Sequence, residues 1–320
     1  MSSGSAGHVA RSSIVPESET PPRARVRTLL RTADGVPVEA VYEPGPVVYG
    51  PGPVVYGPGP VVYGSAPDAP DAPSSAPSPS SLPSSGAPVF VIAHGFTGDL
   101  DRPHVRRAAR ALARHGAVVT FSFRGHGRSG GRSTVGDREV LDLAAAVAWA
   151  RRLGHTRVAT VGFSMGGSVV LRHAALWGQR GGAGPEGRTE ARTDAVVSVS
   201  APARWYYRGT APMRRLHWLV TRPEGRLLGR YGLRTRIHHR DWDPVPLSPV
   251  EAVSRIAPTP LLIVHGDRDG YFPLDHPRML AAAAGDHGEL WLEPGMGHAE
   301  NAASDELLHR IGDWAVAQAG

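Results

Sequence analysis

The chain has 320 residues, 41% of them hydrophobic, which is enough to bury the core of one large domain. It contains no cysteine, so disulfide bonds and thiolate chemistry are excluded. Its formal net charge is +6, but residues 202–240 hold ten Arg and one Glu and carry +9, while the other 25 basic and 28 acidic residues carry −3. The basic character therefore belongs to one segment. No nucleic-acid-binding motif accompanies it, so nucleic acid is not an expected partner.

The N-terminal part of the sequence does not show the pattern of a targeting segment. No apolar run is long enough for the core of a signal peptide or for a membrane-spanning helix, which predicts a cytoplasmic protein without a spanning segment. Residues 1–23 are rich in Ser, Gly, Pro and charge, a composition that predicts a disordered tail. Residues 24–43 hold two β-rich runs around the turn dipeptide Asp34-Gly35, so they predict a β-hairpin.

A short repeat follows the predicted hairpin. The unit PGPVVYG occurs three times in succession between Pro44 and Gly64, and a tract rich in Ala, Pro and Ser comes after it. Two prolines in each unit exclude a helix, and seven residues are too few for a solenoid repeat, which needs about 20 or more. Residues 44–86 are therefore predicted to form one extended loop inserted into another fold.

From residue 87 onward, apolar runs of strand length alternate with segments of helical periodicity. The strand-like runs are APVFVIAHG, AVVTFSF, RVATVGFS, DAVVSVSAP, PLLIVHG and GELWLEP. This alternation predicts an α/β fold with a doubly wound, mostly parallel sheet, its core formed by residues 87–201 and 257–320. Because functional residues of such sheets lie at the carboxyl ends of the strands, the candidate site is sought there.

One predicted strand ends in the sequence GFSMGG. Gly162, Ser164 and Gly166 give the pattern G-x-S-x-G between a predicted strand and a predicted helix. In a nucleophile elbow, a sharp turn raises the serine hydroxyl above the sheet, and small neighbours are needed because a Cβ would clash. A chain with 39 Gly can produce this pattern by chance, but the flanking strand and helix favour the elbow. Ser164 is the predicted nucleophile.

A nucleophilic serine needs a base, and the base needs an acid that orients it. Asp269 follows a predicted strand in HGDRDGYFP, and His298 follows the last one in GMGHAE. Ser164, Asp269 and His298 occur in the order that this architecture uses, each after a different strand. Asp267 is the alternative acid and His126 the alternative base. The position before GYFP favours Asp269, and the position of His126 ahead of the nucleophile favours His298.

Two backbone N–H groups are expected to form an oxyanion hole, which stabilises the negative oxygen of a tetrahedral intermediate. Met165 directly follows the nucleophile, and Phe96 lies in HGFTG, the loop at the end of the strand VFVIAHG. The glycines on either side of Phe96 allow a close approach of the backbone. The N–H groups of Phe96 and Met165 are therefore the predicted donors.

The motifs HGFTG, FRGHGRSGG, GFSMGG, HGDRDGYFP and GMGHAE occur in this order along the chain. From about Arg25 to the C-terminus, apart from the insert, the chain resembles the α/β-hydrolase superfamily. It is most similar to the serine-aminopeptidase-like and lysophospholipase-like esterase branch. The resemblance implies a carboxylesterase-like serine hydrolase that needs no cofactor, with a small helical cap inserted after the strand DAVVSVS. The motifs are specific for the fold and for a serine nucleophile, not for a substrate.

The basic segment, residues 202–256, occupies the place of that cap. One interpretation is a solvated helical lid whose apolar side packs on the core. The other is a lid that favours an anionic substrate or surface, because arginine binds carboxylate and phosphate and suits a membrane interface beside aromatic residues. On this second interpretation Arg214, Arg215 and Trp218 bind substrate, and the cap allows peripheral membrane contact. The sequence HHRDWD, residues 238–243, matches no metal motif, so no metal site is predicted.

The residues together predict hydrolysis of an ester or thioester with a small or medium acyl group, through an acyl-enzyme on Ser164. The partner is then a small-molecule acyl substrate. An aminopeptidase is less expected, since acidic cap residues would be needed to hold a substrate amine and this cap is basic. An acyltransferase with the same three residues and a non-catalytic binding protein on the same fold remain alternatives.

We predict that deletion of Pro51–Gly64, two complete units of the repeat, leaves hydrolysis of an ester substrate intact. Lengthening of a surface loop costs free energy only logarithmically, so its shortening should not disturb the fold. Specific activity and the melting temperature would be measured for this deletion and for a deletion of equal length in the Ala/Pro/Ser tract, residues 65–78. Loss of activity at an unchanged melting temperature, confined to the repeat deletion, would give the repeat a functional role.

Overall fold

The structure of the protein is a computed structural model that describes residues 24–46, 87–178 and 190–319. The predicted tail, residues 1–23, and residues 47–86 of the predicted insert lie outside the described residues. Within the described ranges, no helix combines the length and apolar character needed to cross a membrane.

The described residues form one eight-stranded sheet in the order β1-β2-β4-β3-β5-β6-β7-β8. The strands are β1 Val26–Arg31, β2 Pro37–Glu43, β3 Val89–Ala93, β4 Val118–Phe121, β5 Val158–Phe163, β6 Ala195–Val199, β7 Leu261–Gly266 and β8 Gly288–Glu293. Strand β2 pairs antiparallel with β1 and β4, and the other pairs are parallel. The prediction of a mostly parallel sheet of the α/β class is therefore confirmed.

Helices cover both faces of this sheet. The α-helices of the described residues are α1 Pro103–Leu112, α2 Glu139–Arg152, α3 Met165–Trp177, α4 Ala211–Thr221, α5 Pro223–Gly232, α6 Pro249–Val253, α7 Asp275–Ala284, α8 Ala299–Ala302 and α9 Asp305–Gln318. Helices α2, α3, α6 and α7 pack on one face, and α1, α8 and α9 pack on the other. In β3, Val89 and Val91 face the first layer while Phe90 and Ile92 face the second. A strand buried on both faces needs apolar residues throughout, which explains the continuous apolar runs.

The ends of the insert lie side by side at one edge of the sheet. A Cβ on Gly45 would lie 2.7 Å from the backbone nitrogen of Ala117, and one on Gly116 would overlap the carbonyl oxygen of Pro88. The chain thus leaves after β2 and returns before β3 next to the same residue, Gly116. Because β2 runs against the parallel strands, this edge is the one at which β3 and β4 begin.

The chain between β6 and β7 forms the cap. Helices α4 and α5 pack on each other, and α6 then packs against α3 and α7. The sequence assigns residues 249–256 to the cap, but Ala252, Val253 and Ile256 are fully buried in the core layer. The C-terminal end of the predicted cap therefore belongs to the core, because its apolar residues complete the layer beside α3.

A buried arginine ties the N-terminal hairpin to the core. Arg124, in the motif FRGHG, donates two hydrogen bonds to Asp34 in the β1–β2 turn at 2.8 and 3.0 Å. It also donates to Asp142 in α2 at 2.9 and 2.7 Å. Burial opposes the charge of the guanidinium, but the two carboxylates outweigh it and raise the pKa of Arg124. The ion pairs thus compensate charges that would otherwise be costly to bury.

We predict that Arg124→Met lowers the free energy of unfolding by about 3–5 kcal/mol, because it leaves the buried carboxylate of Asp142 without its partner. The double variant Arg124→Met/Asp142→Leu should recover much of this loss, since it removes the uncompensated charge as well. Urea denaturation measures both effects. The control is Arg128→Met, whose side chain is 79% exposed, and a single variant no less stable than this control would contradict the prediction.

Candidate active site

Ser164 lies in a sharp turn between β5 and α3. Its φ of 52° and ψ of −113° are unusual for a residue with a side chain, and its N–H donates to the carbonyl oxygen of Val199 at 2.8 Å. A Cβ on Gly166 would overlap the carbonyl oxygen of Ala93, and one on Gly162 would overlap that of Gly166. The flanking glycines are therefore required by close backbone contact, as the elbow pattern predicts.

The structure brings Ser164, His298 and Asp269 into one hydrogen-bonded chain. The Ser164 Oγ lies 2.9 Å from the His298 Nε2, and the His298 Nδ1 lies 2.8 Å from the Asp269 Oδ2. An ionised carboxylate only accepts hydrogen bonds, so the ring proton is assigned to Nδ1 and Nε2 faces the hydroxyl as an acceptor. Ser164 follows β5, Asp269 follows β7 and His298 follows β8. The three groups converge at the carboxyl edge of the sheet.

The Asp269 carboxylate is fully buried and well supplied with donors. Its Oδ1 accepts hydrogen bonds from the N–H groups of Tyr271 at 2.8 Å and Phe272 at 3.1 Å. Burial opposes the charged form, but the hydrogen bonds and the His298 ring outweigh burial and lower the pKa of Asp269 below its ordinary value. Asp267, the alternative acid, lies on the exposed side of the loop and accepts from the Gly295 N–H at 2.6 Å.

Two aromatic residues next to Asp269 enclose the His298 ring. Tyr271 stacks on it with a centroid distance of 4.2 Å and an interplanar angle of 25°, and Phe272 lies 5.6 Å away. The hydroxyl of Thr210, the N-cap of α4, donates to the carbonyl oxygen of Tyr271 at 2.9 Å. These contacts hold the imidazole plane and join the base of the cap to the acid loop. Tyr271 lies within the motif GYFP, but nothing in the sequence pattern alone gave it a place in the site.

The loop HGFTG lies directly beside Ser164. A Cβ on Gly95 would lie 3.5 Å from the Ser164 Cβ, and the Gly95 N–H donates to the buried Glu300 Oε1 at 3.0 Å. The Thr97 N–H donates to a histidine, whereas the hydrogen bonds among the described residues leave the N–H of Phe96 unused. Met165 is the first residue of α3, where a helical N–H has no partner within the helix. The predicted donors Phe96 and Met165 thus flank the serine.

Two buried histidines support that loop. His94 accepts the Phe123 N–H at Nε2, at 3.0 Å, and its Nδ1 donates to the Gly95 carbonyl at 2.7 Å. His126 accepts the Thr97 N–H at Nε2, at 3.3 Å. Burial lowers the pKa of His94 to about 3 and that of His126 to about 4, so both rings are neutral at physiological pH. The ring nitrogens of His126, the alternative base, are thus used by the Thr97 N–H and the Arg124 carbonyl oxygen and orient the loop.

A cavity of about 450 Å³ opens between Ser164 and the cap. Its wall is mostly apolar and aromatic and includes Phe96, Met165, Trp205, Tyr207, Met213, Trp242 and Phe272. Three arginines and one carboxylate also reach the wall: Arg204, Arg208, Arg240 and Asp241. The guanidinium of Arg204 is paired with Asp275 at 2.8 Å. The cavity thus offers an apolar binding volume directly above the serine.

The structure places Arg214, Arg215 and Trp218 away from this cavity. The two arginines are exposed, Trp218 is 47% exposed, and none of the three forms part of the cavity wall. Helix α4 presents Met213 and Leu216 to the cavity, and the three predicted residues lie on its other face. Helical periodicity thus separates the basic face from the cavity-lining face, and a role of these three residues in substrate binding stays a prediction without support from the cavity wall.

The sequence HHRDWD does not gather into a metal-binding cluster in the described part of the chain. The rings of His238 and His239 stack with centroids 5.2 Å apart, and the Trp242 indole donates to the Thr134 carbonyl at 2.7 Å. Within residues 24–46, 87–178 and 190–319, no group of three His, Asp or Glu is arranged to hold a metal ion.

Residues 88–181 match the family described as the alpha/beta hydrolase fold. The esterase LipC of Mycobacterium tuberculosis is 31% identical over 174 residues, which cover 50% of this chain and 40% of LipC. A monoacylglycerol lipase of Mycolicibacterium smegmatis is 25% identical over 231 residues, which cover 66% of this chain and 80% of the lipase. The chain therefore matches less than half the length of LipC.

Solved structures share the fold at lower sequence identity. An esterase of Pyrococcus furiosus is 19% identical with a TM-score of 0.60, and the match covers 94% of this chain and 100% of that one. At this level of sequence identity, the structural similarity shows a shared fold. Together, the sheet order, the matched segment and this structural similarity show that the chain has the α/β-hydrolase fold.

Proposed function

We propose that the protein is a serine hydrolase that cleaves esters or thioesters of small or medium acyl groups through an acyl-enzyme on Ser164. The observation that carries the proposal is the hydrogen-bonded chain from Asp269 through His298 to Ser164 at the floor of a cavity of about 450 Å³. Relatives named as an esterase and a monoacylglycerol lipase support ester hydrolysis.

The reaction starts with attack of Ser164 on the acyl carbonyl carbon. The His298 Nε2 takes the hydroxyl proton as the Oγ forms the new bond, and the carbonyl becomes a tetrahedral oxyanion. The N–H groups of Phe96 and Met165 hold this oxyanion, helped by the positive end of α3. His298 then gives the proton to the departing alcohol or thiol. Water, activated by the same ring, releases the acid from the acyl-enzyme.

Asp269 acts through His298. Its carboxylate fixes the ring proton at Nδ1 and stabilises the imidazolium that forms when Ser164 is deprotonated. The low pKa of Asp269 keeps it ionised throughout the neutral range. The stacked ring of Tyr271 and the ring of Phe272 limit rotation of the imidazole and so maintain its alignment with the serine.

Within the superfamily, we assign the chain to the esterase side of the serine-aminopeptidase-like and lysophospholipase-like branch. The cavity wall carries three arginines and one aspartate, so it is poorly suited to a substrate with a free amine. Its apolar and aromatic surface instead favours an acyl chain or an aromatic group.

We predict that a fluorophosphonate probe labels the folded protein at Ser164 and that Ser164→Ala abolishes the labelling. Hydrolysis of an ester panel of graded chain length should fall by about 10⁴-fold or more in Ser164→Ala and in His298→Ala, because nucleophile and base act as a unit. Ser254→Ala, which alters an exposed serine at the end of α6, is the control and should keep full activity. Absence of labelling in folded wild-type protein would overturn the proposal and favour a binding protein on the same fold.

We further predict that the stability difference between the wild type and Asp269→Asn depends on pH. The folded protein lowers the pKa of Asp269, so its charge stabilises the fold above the unfolded value of about 4, and this contribution is lost as the pH falls through the folded pKa. The difference in unfolding free energy should be constant above about pH 5 and should shrink below it. Urea denaturation at several pH values measures it.

Asp267→Asn is the matched control for this experiment, because it removes the same charge two residues away on an exposed side chain. It should leave stability nearly unchanged, since an amide oxygen can still accept from the Gly295 N–H. A pH-independent difference for Asp269→Asn, or equal effects of the two variants, would count against an ionised Asp269 in the folded protein.

A further inference from the structure

Helix α5 packs against the rest of the cap through glycine. A Cβ on Gly225 would lie 2.6 Å from the Leu219 Cα in α4, and one on Gly229 would lie 3.3 Å from the carbonyl oxygen of Thr235. These two glycines, four positions apart, define the inner face of α5. The opposite face must therefore point away from the protein.

That opposite face is apolar. Leu227 is 57% exposed, Leu228 is 53% exposed and Tyr231 is 74% exposed, and these positions lie together on one side of the helix. Trp218, on the adjacent helix α4, is 47% exposed. We call these four side chains the outer cap face. Large apolar side chains grouped on two neighbouring helices indicate a surface that contacts something other than water.

The outer cap face lies in the most basic part of the chain. Of the ten arginines in residues 202–240, only Arg204 forms an ion pair among the described residues. Arg215 lies one turn from Trp218 in α4, and the guanidinium of Arg230 lies 5.4 Å from the centre of the Tyr231 ring. The apolar side chains are thus accompanied by positive charges without carboxylate partners, and a binding partner must supply both apolar and anionic groups.

We propose that the outer cap face docks onto the surface of an anionic lipid bilayer. Leucine and aromatic side chains enter the boundary between headgroups and acyl chains, while arginines bind the phosphates above it. A second copy of the chain fits less well, because the unpaired arginines of two such basic segments would repel each other. Nucleic acid would satisfy the arginines but would leave the leucines exposed on a helix.

Docking would bring the cavity close to the lipid. Helix α4 carries Trp218 on its outer side and lines the cavity with Met213, Leu216 and Val220 on its inner side. An acyl substrate released from the bilayer would therefore have a short path into the cavity. This consequence rests on the proposed hydrolase function, whereas the docking itself does not.

The test is vesicle co-sedimentation with the full-length chain carrying Ser164→Ala, so that hydrolysis cannot alter the vesicles and the result does not depend on catalysis. The vesicles contain phosphatidylcholine alone or equal parts of phosphatidylcholine and phosphatidylglycerol. We expect binding to the mixed vesicles, weakened by salt, and little binding to the neutral ones.

Variants separate the two contributions. Leu227→Ser/Leu228→Ser should weaken partitioning by at least about tenfold, through loss of apolar insertion. Arg215→Gln/Arg230→Gln should weaken it by about 25-fold, at roughly fivefold for each arginine near an anionic surface. The controls are Leu29→Ser, at a position 62% exposed on β1, and Arg110→Gln/Arg114→Gln, exposed at the end of α1. Both controls should bind like the parent protein.

Three outcomes would overturn the proposal. One is no binding to the mixed vesicles, and another is equal loss of binding in the controls and in the variants of the outer cap face. The third is a concentration-dependent dimer in analytical ultracentrifugation that Leu227→Ser/Leu228→Ser dissociates, which would assign this face to self-association.

Discussion

The turn at Ser164 is the constraint on which the rest of the site depends. A residue with a Cβ adopts a positive φ of 52° there, in a region that costs on the order of 1–3 kcal/mol. The turn persists because β5 and α3 are both buried and because Gly162 and Gly166 let their backbones touch. The free energy of packing two elements of the core therefore offsets the local cost. Through this turn, a hydroxyl is held above the sheet edge at which the other loops end.

Around that hydroxyl, the loops are fixed by buried polar contacts in place of apolar packing. His94, His126 and Glu300 each bond a backbone group of the loop HGFTG or its surroundings. Burial keeps both imidazoles neutral, so each offers one donor and one acceptor in a fixed orientation. Because a buried polar group without a partner is costly, these networks allow few alternative loop conformations. The backbone next to Ser164 is thereby held in place before any substrate arrives.

The sequence was most informative where topology alone determines position. Ser164, Asp269 and His298 each follow an apolar strand, and parallel strands bring their carboxyl ends to one edge, so order along the chain predicts proximity. No comparable rule predicts the positions of side chains in the cap. Arg214 and Trp218 lie in an amphipathic helix whose charge pattern does not say which face meets the core, and this depends on tertiary packing.

Tertiary packing also explains why the sequence could not predict the C-terminal boundary of the cap or the stacking of Tyr271 on His298. The short helix α6 reads as part of the basic segment, but its apolar residues are buried beside α3 in space. Tyr271 stands within a recognised motif, yet stacking on an imidazole depends on the turn made by the loop, which the Asp269 carboxylate fixes by accepting two N–H groups. In both cases the deciding contact joins parts of the chain far apart or depends on a local turn.

The antiparallel direction of β2 has a consequence for the repeated sequence PGPVVYG. Since β2 runs against its neighbours, the chain leaves it at the edge where the parallel strands start, and it returns beside the same Gly116. The catalytic candidates all lie at the other edge, where those strands end. The insert therefore leaves and rejoins the described fold on the side of the sheet remote from Ser164, at two points that both lie beside Gly116. The fold separates the place where its sequence can grow from the place where its geometry must stay constant.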